Sequence, residues 1–98
     1  MSDPYTLCVI LAVKPEHAEE FATLVKHNVA ATRHDQGVVT FHYHRVADST
    51  TWLLYEIWDS KAASDTHQQK PDVQAFFAQA PRMLAAAPQI LQLGPVIR

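Results

Sequence analysis

The run Tyr5-Thr6-Leu7-Cys8-Val9-Ile10-Leu11-Ala12-Val13 is apolar on both of its alternating sides. Successive side chains of a strand point to opposite faces, so a strand made of this run has little to offer water on either one. Tyr5, Leu7, Val9, Leu11 and Val13 fall on one parity, and Cys8, Ile10 and Ala12 on the other. The run 51–58, TWLLYEIW, repeats the problem, with Leu53, Tyr55 and Ile57 set against Trp52, Leu54 and Trp58. A chain of 98 residues hides roughly 60 to 68% of its unfolded surface, enough for one core and little more. One domain over residues 1–98 is therefore expected, with helices on one face of its sheet. The other face needs a different cover. An exposed apolar patch of that kind marks an interface. Its simplest partner is a second copy related by a twofold axis. A homodimer formed by sheet-to-sheet packing is the strongest expectation from the residues alone.

The order of elements follows from local signals. Pro15 suits a first helical position, and Glu16, Glu19 and Glu20 place negative charge at the positive end of a helix dipole. Phe21, Leu24, Val25, Val29 and Thr32 then recur at helical spacing, and Gly37 marks a stop or turn. The segment 38–46, VVTFHYHRV, alternates as a strand, and 51–58 returns as its hairpin partner. Asp59 or Ser60 can cap a short helix, KAASDTHQQ, and Pro71 opens another in which Val73, Phe76, Phe77, Ala80 and Leu84 share a face. Pro81 breaks or kinks that helix, and 89–97, QILQLGPVI, closes the chain as a strand. The result is an α+β, ferredoxin-like βαββαβ fold. Its four-stranded antiparallel sheet carries a split second helix, and pairing of two copies makes a dimeric α/β barrel.

Composition removes several function classes. A net charge of −2 with scattered lysines and arginines argues against a nucleic-acid partner. The apolar start is too short to cross a membrane and lacks the basic region of a leader peptide, so a cytoplasmic protein without membrane attachment is expected. One cysteine permits neither an internal disulfide nor a thiolate metal site, and Cys8 reads as a small buried hydrophobe. The sequence has no glycine-rich phosphate loop, no Ser-His-Asp pattern and no nicotinamide or flavin fingerprint. No cofactor and no metal are expected.

The residues that remain for chemistry are histidines, one carboxylate and several aromatics. His17, His27 and His34 fall on or just after the first helix, mostly off its apolar side. His42 and His44 alternate on a strand and point the same way, as polar pocket groups or as two ligands awaiting a third from Glu56 or His67. Which groups share their face depends on hairpin register. A four-residue loop, 47–50, sets His42 opposite Tyr55, and a five-residue loop sets it opposite Glu56. Glu56 lies in the middle of an apolar strand, so it must be paired, protonated or facing a wet cavity, and Arg45 is one available partner. Trp52, Tyr55 and Trp58 read as core or as binding walls. His67 follows Ala63 by one helical turn, so it points at the sheet if Ala63 does and at solvent otherwise.

The segment 53–77, LLYEIWDSKAASDTHQQKPDVQAFF, resembles the antibiotic biosynthesis monooxygenase domain family in its aromatic-Glu-x-aromatic strand end, polar turn and helix with a histidine. VKPEHAEEF at 13–21 and QGVVTFHYHR at 36–45 are similar to that family's first strand-to-helix junction and its Glu-Gly-plus-strand segment. The resemblance implies a cavity between sheet and helices and, among family members, cofactor-free oxygenases that act on quinols or anthrones. It also implies that the helix histidine is His67. A second histidine frequent after the proline is replaced here by Asp72. Positions that hold Asn, Trp and His in the haem-degrading branch hold Val9, His67 and Phe77, which argues against haem degradation.

The expected function is a cofactor-independent monooxygenase that oxidises a quinol- or anthrone-like hydroxylated aromatic with dioxygen. His67 is the expected catalytic base, suited by the near-neutral titration of imidazole. Trp58 and Phe76 are expected to wall in or stack on the substrate, and Tyr55, His42 or His44 to hold its oxygen. An isomerase or tautomerase of a small carbonyl compound, or a ligand-binding dimer without turnover, would use the same scaffold.

Overall fold

The computed structural model describes residues 3–97. Its elements run β1 (Tyr5–Ala12), a 3-10 turn (Pro15–His17), α1 (Ala18–Thr32), β2 (Val38–Arg45), β3 (Thr51–Trp58), α2 (Lys61–Gln68), α3 (Pro71–Gln79), a second 3-10 turn (Ala80–Met83) and β4 (Gln89–Leu93). The four strands form one antiparallel sheet in the order β2-β3-β1-β4, an α+β, ferredoxin-like arrangement. The most apolar strands, β1 and β3, take the centre, where both neighbours shield them.

Register decides which residues meet the helices. Val9 pairs with Leu54 and Leu11 with Trp52 across β1 and β3, and Tyr43 pairs with Leu54 across β2 and β3. One face therefore collects Leu7, Val9 and Leu11, then Trp52, Leu54, Glu56 and Trp58, then Phe41 and Tyr43. Phe21 and Val25 of α1, Phe76 and Ala80 of the α3 region, and Met83 and Leu84 pack onto this face as the core. The opposite face carries Cys8, Ile10, Leu53, Tyr55 and Ile57, half-exposed under no helix.

The β2–β3 hairpin uses the four-residue connection, with Val46 N–H donating to Thr51 O at 2.8 Å and Asp48 at φ 58°. The short loop sets His42 opposite Tyr55 and Phe41 opposite Glu56. Ser60 rather than Asp59 caps α2, its Oγ accepting from Ala63 N–H at 3.2 Å. Pro71 opens α3, and the helix gives way to the 3-10 turn at Ala80, just before Pro81. The last strand is shorter than the sequence suggested. It ends at Leu93, before Gly94 and Pro95, because proline has no N–H to continue the ladder with β1.

Gly37 fixes how α2 sits on the sheet. Its φ is +85°, and a Cβ there would lie 2.6 Å from both Ala63 Cβ and Asp59 Oδ1. Its carbonyl accepts Asp59 N–H at 2.8 Å. The turn that leads into β2 and the start of α2 thus approach as closely as backbone allows, a contact open only to glycine.

Candidate active site

A cavity of about 250 Å³ lies between the sheet and the helices. Its floor is sheet, with Leu7, Val9, Phe41, Tyr43, Leu54 and Glu56, and its other walls include Asn28, His67, Val73 and Phe76. Phe77, Pro81, Pro88 and Ile90 form the rim. No lysine or arginine is among the lining residues.

Helical phase answers the question about His67. α2 turns Ser64 and His67 inward, and His67 is 6% exposed. Its ring packs 4.7 Å from the Trp58 ring and 5.5 Å from that of Phe41, centroid to centroid. Its Nδ1 lies 2.7 Å from Asp35 Oδ2. Lys70 donates to the other carboxylate oxygen of Asp35 and, at 2.7 Å, to Ala31 O. Burial opposes the charge on Asp35, but the bonds from Lys70 and His67 outweigh it and lower its pKa. A carboxylate only accepts, so the proton on that ring edge belongs to Nδ1. Nε2 is then the nitrogen able to take a proton, and it has no protein partner among the described residues.

Glu56 stands on the same wall. It is 6% exposed and accepts a hydrogen bond from Trp58 Nε1 at 2.7 Å. Burial raises its pKa, against the pull of the indole bond and of the nearby His67. The expected partner Arg45 lies elsewhere, exposed at the strand end with its Nε donating to Ser49 O. Glu56 is therefore a cavity carboxyl held by an indole, not half of an ion pair.

Of the six residues singled out from the sequence, His67 and Phe76 line the cavity. Trp58 is fully buried behind His67, where it supports the imidazole and Glu56 rather than meeting the open space. Tyr55, His42 and His44 are not brought to the cavity. With His42 paired to Tyr55 and Phe41 to Glu56, alternation sends those three side chains to the opposite face. For the same reason neither Glu56 nor His67 can complete a metal site with His42 and His44. Three residues the sequence reading passed over belong to this region instead: Asp35, Tyr43 and Asn28. Asn28 Nδ2 donates to Tyr43 Oη at 2.7 Å. The one available signal was an asparagine on the inward stripe of α1 that also carries Phe21, Val25 and Thr32, seven residues after Phe21 and three after Val25.

Comparison with known proteins places this arrangement in a family. Residues 4–79 match the model of the antibiotic biosynthesis monooxygenase family, so the chain belongs to that family. A Synechocystis protein, sll1783, is 28% identical over 89 residues, which are 90% of this chain and 60% of that protein. The chain thus spans 60% of the length of that relative. YcnE of Bacillus subtilis, provisionally named a monooxygenase, is 29% identical over 77 residues, 78% of this chain and 81% of its own. The solved structure of PA3566 from Pseudomonas aeruginosa covers 99% of this chain and 98% of its own at a TM-score of 0.89, with 26% identity. That of Rv0793 from Mycobacterium tuberculosis covers 98% of each chain at 0.91 and 21% identity, and shows the shared fold. Among the described residues no helix is long and apolar enough to cross a membrane.

Proposed function

We propose that the protein is a cofactor-independent monooxygenase acting on a quinol- or anthrone-like hydroxylated aromatic, with His67 as its general base. The observation that supports this most directly is the Asp35–His67 pair at the wall of an apolar cavity. Asp35 holds the Nδ1 proton and leaves Nε2 to remove one from the substrate. For a substrate with an activated methylene, loss of one proton gives a ring-delocalised carbanion. That anion reduces dioxygen and joins it as a carbon-bound peroxide. Cleavage of the O–O bond with loss of the second C–H proton leaves a carbonyl and one water. One oxygen atom enters the substrate, the other leaves as water, and dioxygen takes up four electrons. Phe41 and Phe76 supply flat walls for the ring.

Assembly belongs to the same proposal. Cys8, Ile10, Leu53, Tyr55 and Ile57 give the uncovered sheet face an apolar surface that a second copy would bury, completing the dimeric barrel. Sedimentation velocity tests this directly, and a monomer at micromolar concentration would remove it.

Oxygen uptake by metal-stripped protein, with a panel of quinols and anthrones, tests the reaction. His67→Ala and His67→Gln serve as variants, and circular dichroism as the check on fold. Uptake above autoxidation that is lost in both folded variants is expected. Equal uptake by native protein and variants overturns the role of His67. The presence of Glu56 beside His67 favours a second reading, an isomerase that moves a proton between two substrate atoms. Turnover of a carbonyl compound without oxygen uptake would select it.

A further inference from the structure

The polar groups of the cavity form two stations. One is His67 and Glu56, beside Phe41. The other is Tyr43 with its partner Asn28. Phe41 and Tyr43 are two residues apart on one face of β2, so the stations are separated by about 7 Å along the strand. Leu54 and Val9 lie level with Tyr43 across the sheet and Leu7 level with Glu56, and with Phe76 they keep the lining around the two stations apolar.

Tyr43 is equipped as a donor. Asn28 Nδ2 already gives its proton to the phenol oxygen, and the phenol's own proton has no acceptor among the described residues. Burial, the dominant influence, keeps that phenol protonated by raising its pKa well above the usual range. The Asn28 bond opposes this and the neighbouring Glu56 charge reinforces it. A bond received at the oxygen also polarises the O–H and strengthens what it donates.

Resting on the oxygenase reading above, we infer that Tyr43, held by Asn28, binds a second oxygen of the substrate at the edge opposite the one His67 deprotonates. The ligand class follows. It is an uncharged arene with oxygen substituents on opposite edges. It has one or two rings, which narrows the class above to its quinol end and leaves out three-ring anthrones, because about 250 Å³ lies at the small end of ligand cavities, roughly 300–1,000 Å³. Carboxylated, sulfonated or phosphorylated arenes are refused, since the lining offers a carboxyl and no lysine or arginine to meet them. The arrangement also serves the chemistry. For the activated-methylene substrate of the mechanism above, with a carbonyl across the ring, the proton His67 takes leaves charge that conjugation carries to that carbonyl oxygen, where Tyr43 stands ready to donate.

Anaerobic titration followed by tryptophan fluorescence separates binding from turnover. The probes are naphthalene-1,4-diol, 1-naphthol and 1,4-dihydroxy-2-naphthoate. Native protein should bind the diol about tenfold more tightly than 1-naphthol, the ratio one well-placed hydrogen bond supplies. It should bind the naphthoate more weakly than either. Tyr43→Phe should bring diol and 1-naphthol to equal affinity without changing the affinity for 1-naphthol, which shows that its fold and cavity persist. A diol preference retained in Tyr43→Phe overturns this inference alone and leaves the oxygenase reading to the oxygen assay. Failure of the native protein to bind either uncharged probe overturns both the inference and the substrate class it rests on.

Discussion

The carboxylate of Asp35, in the turn after α1, accepts the Nδ1 proton of His67 on α2 at 2.7 Å, across 32 residues of sequence. Asp35 does not line the cavity, so it acts on a ligand only through the imidazole. Asp35→Asn keeps the shape and one acceptor but removes the charge, and the amide can also turn its N–H₂ toward Nδ1. A hydrogen bond to a charged group contributes about 1.5–3 kcal/mol, which corresponds to a fall in kcat of roughly 10- to 100-fold. KM should hold within about twofold on the same argument of no direct contact. Steady-state oxygen uptake supplies both constants. A KM effect equal to the kcat effect would instead mean that Asp35 shapes the cavity.

The same carboxylate sets an acid limit on stability. Lys70 and His67 lower its pKa from an ordinary value of 3.8 despite the opposing effect of burial. A carboxylate depressed in the folded state adds stability that is complete above the unfolded value and disappears as pH falls through the folded one. Urea midpoints of the native protein should therefore drop below about pH 4, and those of Asp35→Asn should drop less. Parallel curves for the two proteins would show that the Asp35 cluster contributes nothing to acid unfolding.

Glu56 acts in the opposite direction. Burial raises its pKa above 4.5, more than the Trp58 bond and His67 lower it. A carboxyl with a raised folded pKa favours the folded state most at pH values below the unfolded pKa. That contribution is lost as pH rises through the folded one. Glu56→Gln keeps an oxygen for Trp58 Nε1 and removes the titration. The variant should gain on the native protein as pH climbs above about 4.5, read as the difference between their urea midpoints. A difference independent of pH would mean that Glu56 titrates alike in the folded and unfolded chains.

These residues also show how much of the site is legible in the sequence. The apolar runs marked β1 and β3 as strands apolar on both faces, and the prolines located the ends of α2 and α3, because both signals are local. For His67, helical phase allowed either side, and the family resemblance pointed inward, where the structure places it. Hairpin register was different, since one residue of loop length exchanges the faces of Tyr55, His42 and Glu56 together. Nothing local in the strands chooses between the two. Asp35 was harder still. Its role exists only once Gly37 has brought the turn beside α2, and no spacing rule links position 35 to 67 and 70. Tyr43 hid behind the strand histidines that flank it, which alternate to the other face.

Gly37 provides the last test, because it links packing to the site. The turn approaches α2 closely enough that an added Cβ would overlap Ala63 Cβ and Asp59 Oδ1, each at 2.6 Å. The backbone also sits at φ +85°, where an alanine is strained by about 1–3 kcal/mol. Gly37→Ala should therefore lower unfolding free energy by at least that strain, and it should reduce kcat because α2 carries His67. Two further variants separate the causes. Asparagine tolerates a positive φ far better than alanine but brings the same Cβ, so Gly37→Asn should be nearly as damaging if the overlap dominates. Ala63→Gly, placed in the Gly37→Ala background, removes one of the two colliding atoms and should restore part of both stability and turnover. If Gly37→Asn instead behaves like the native protein, the close approach at α2 tolerates a side chain, and φ alone explains the glycine.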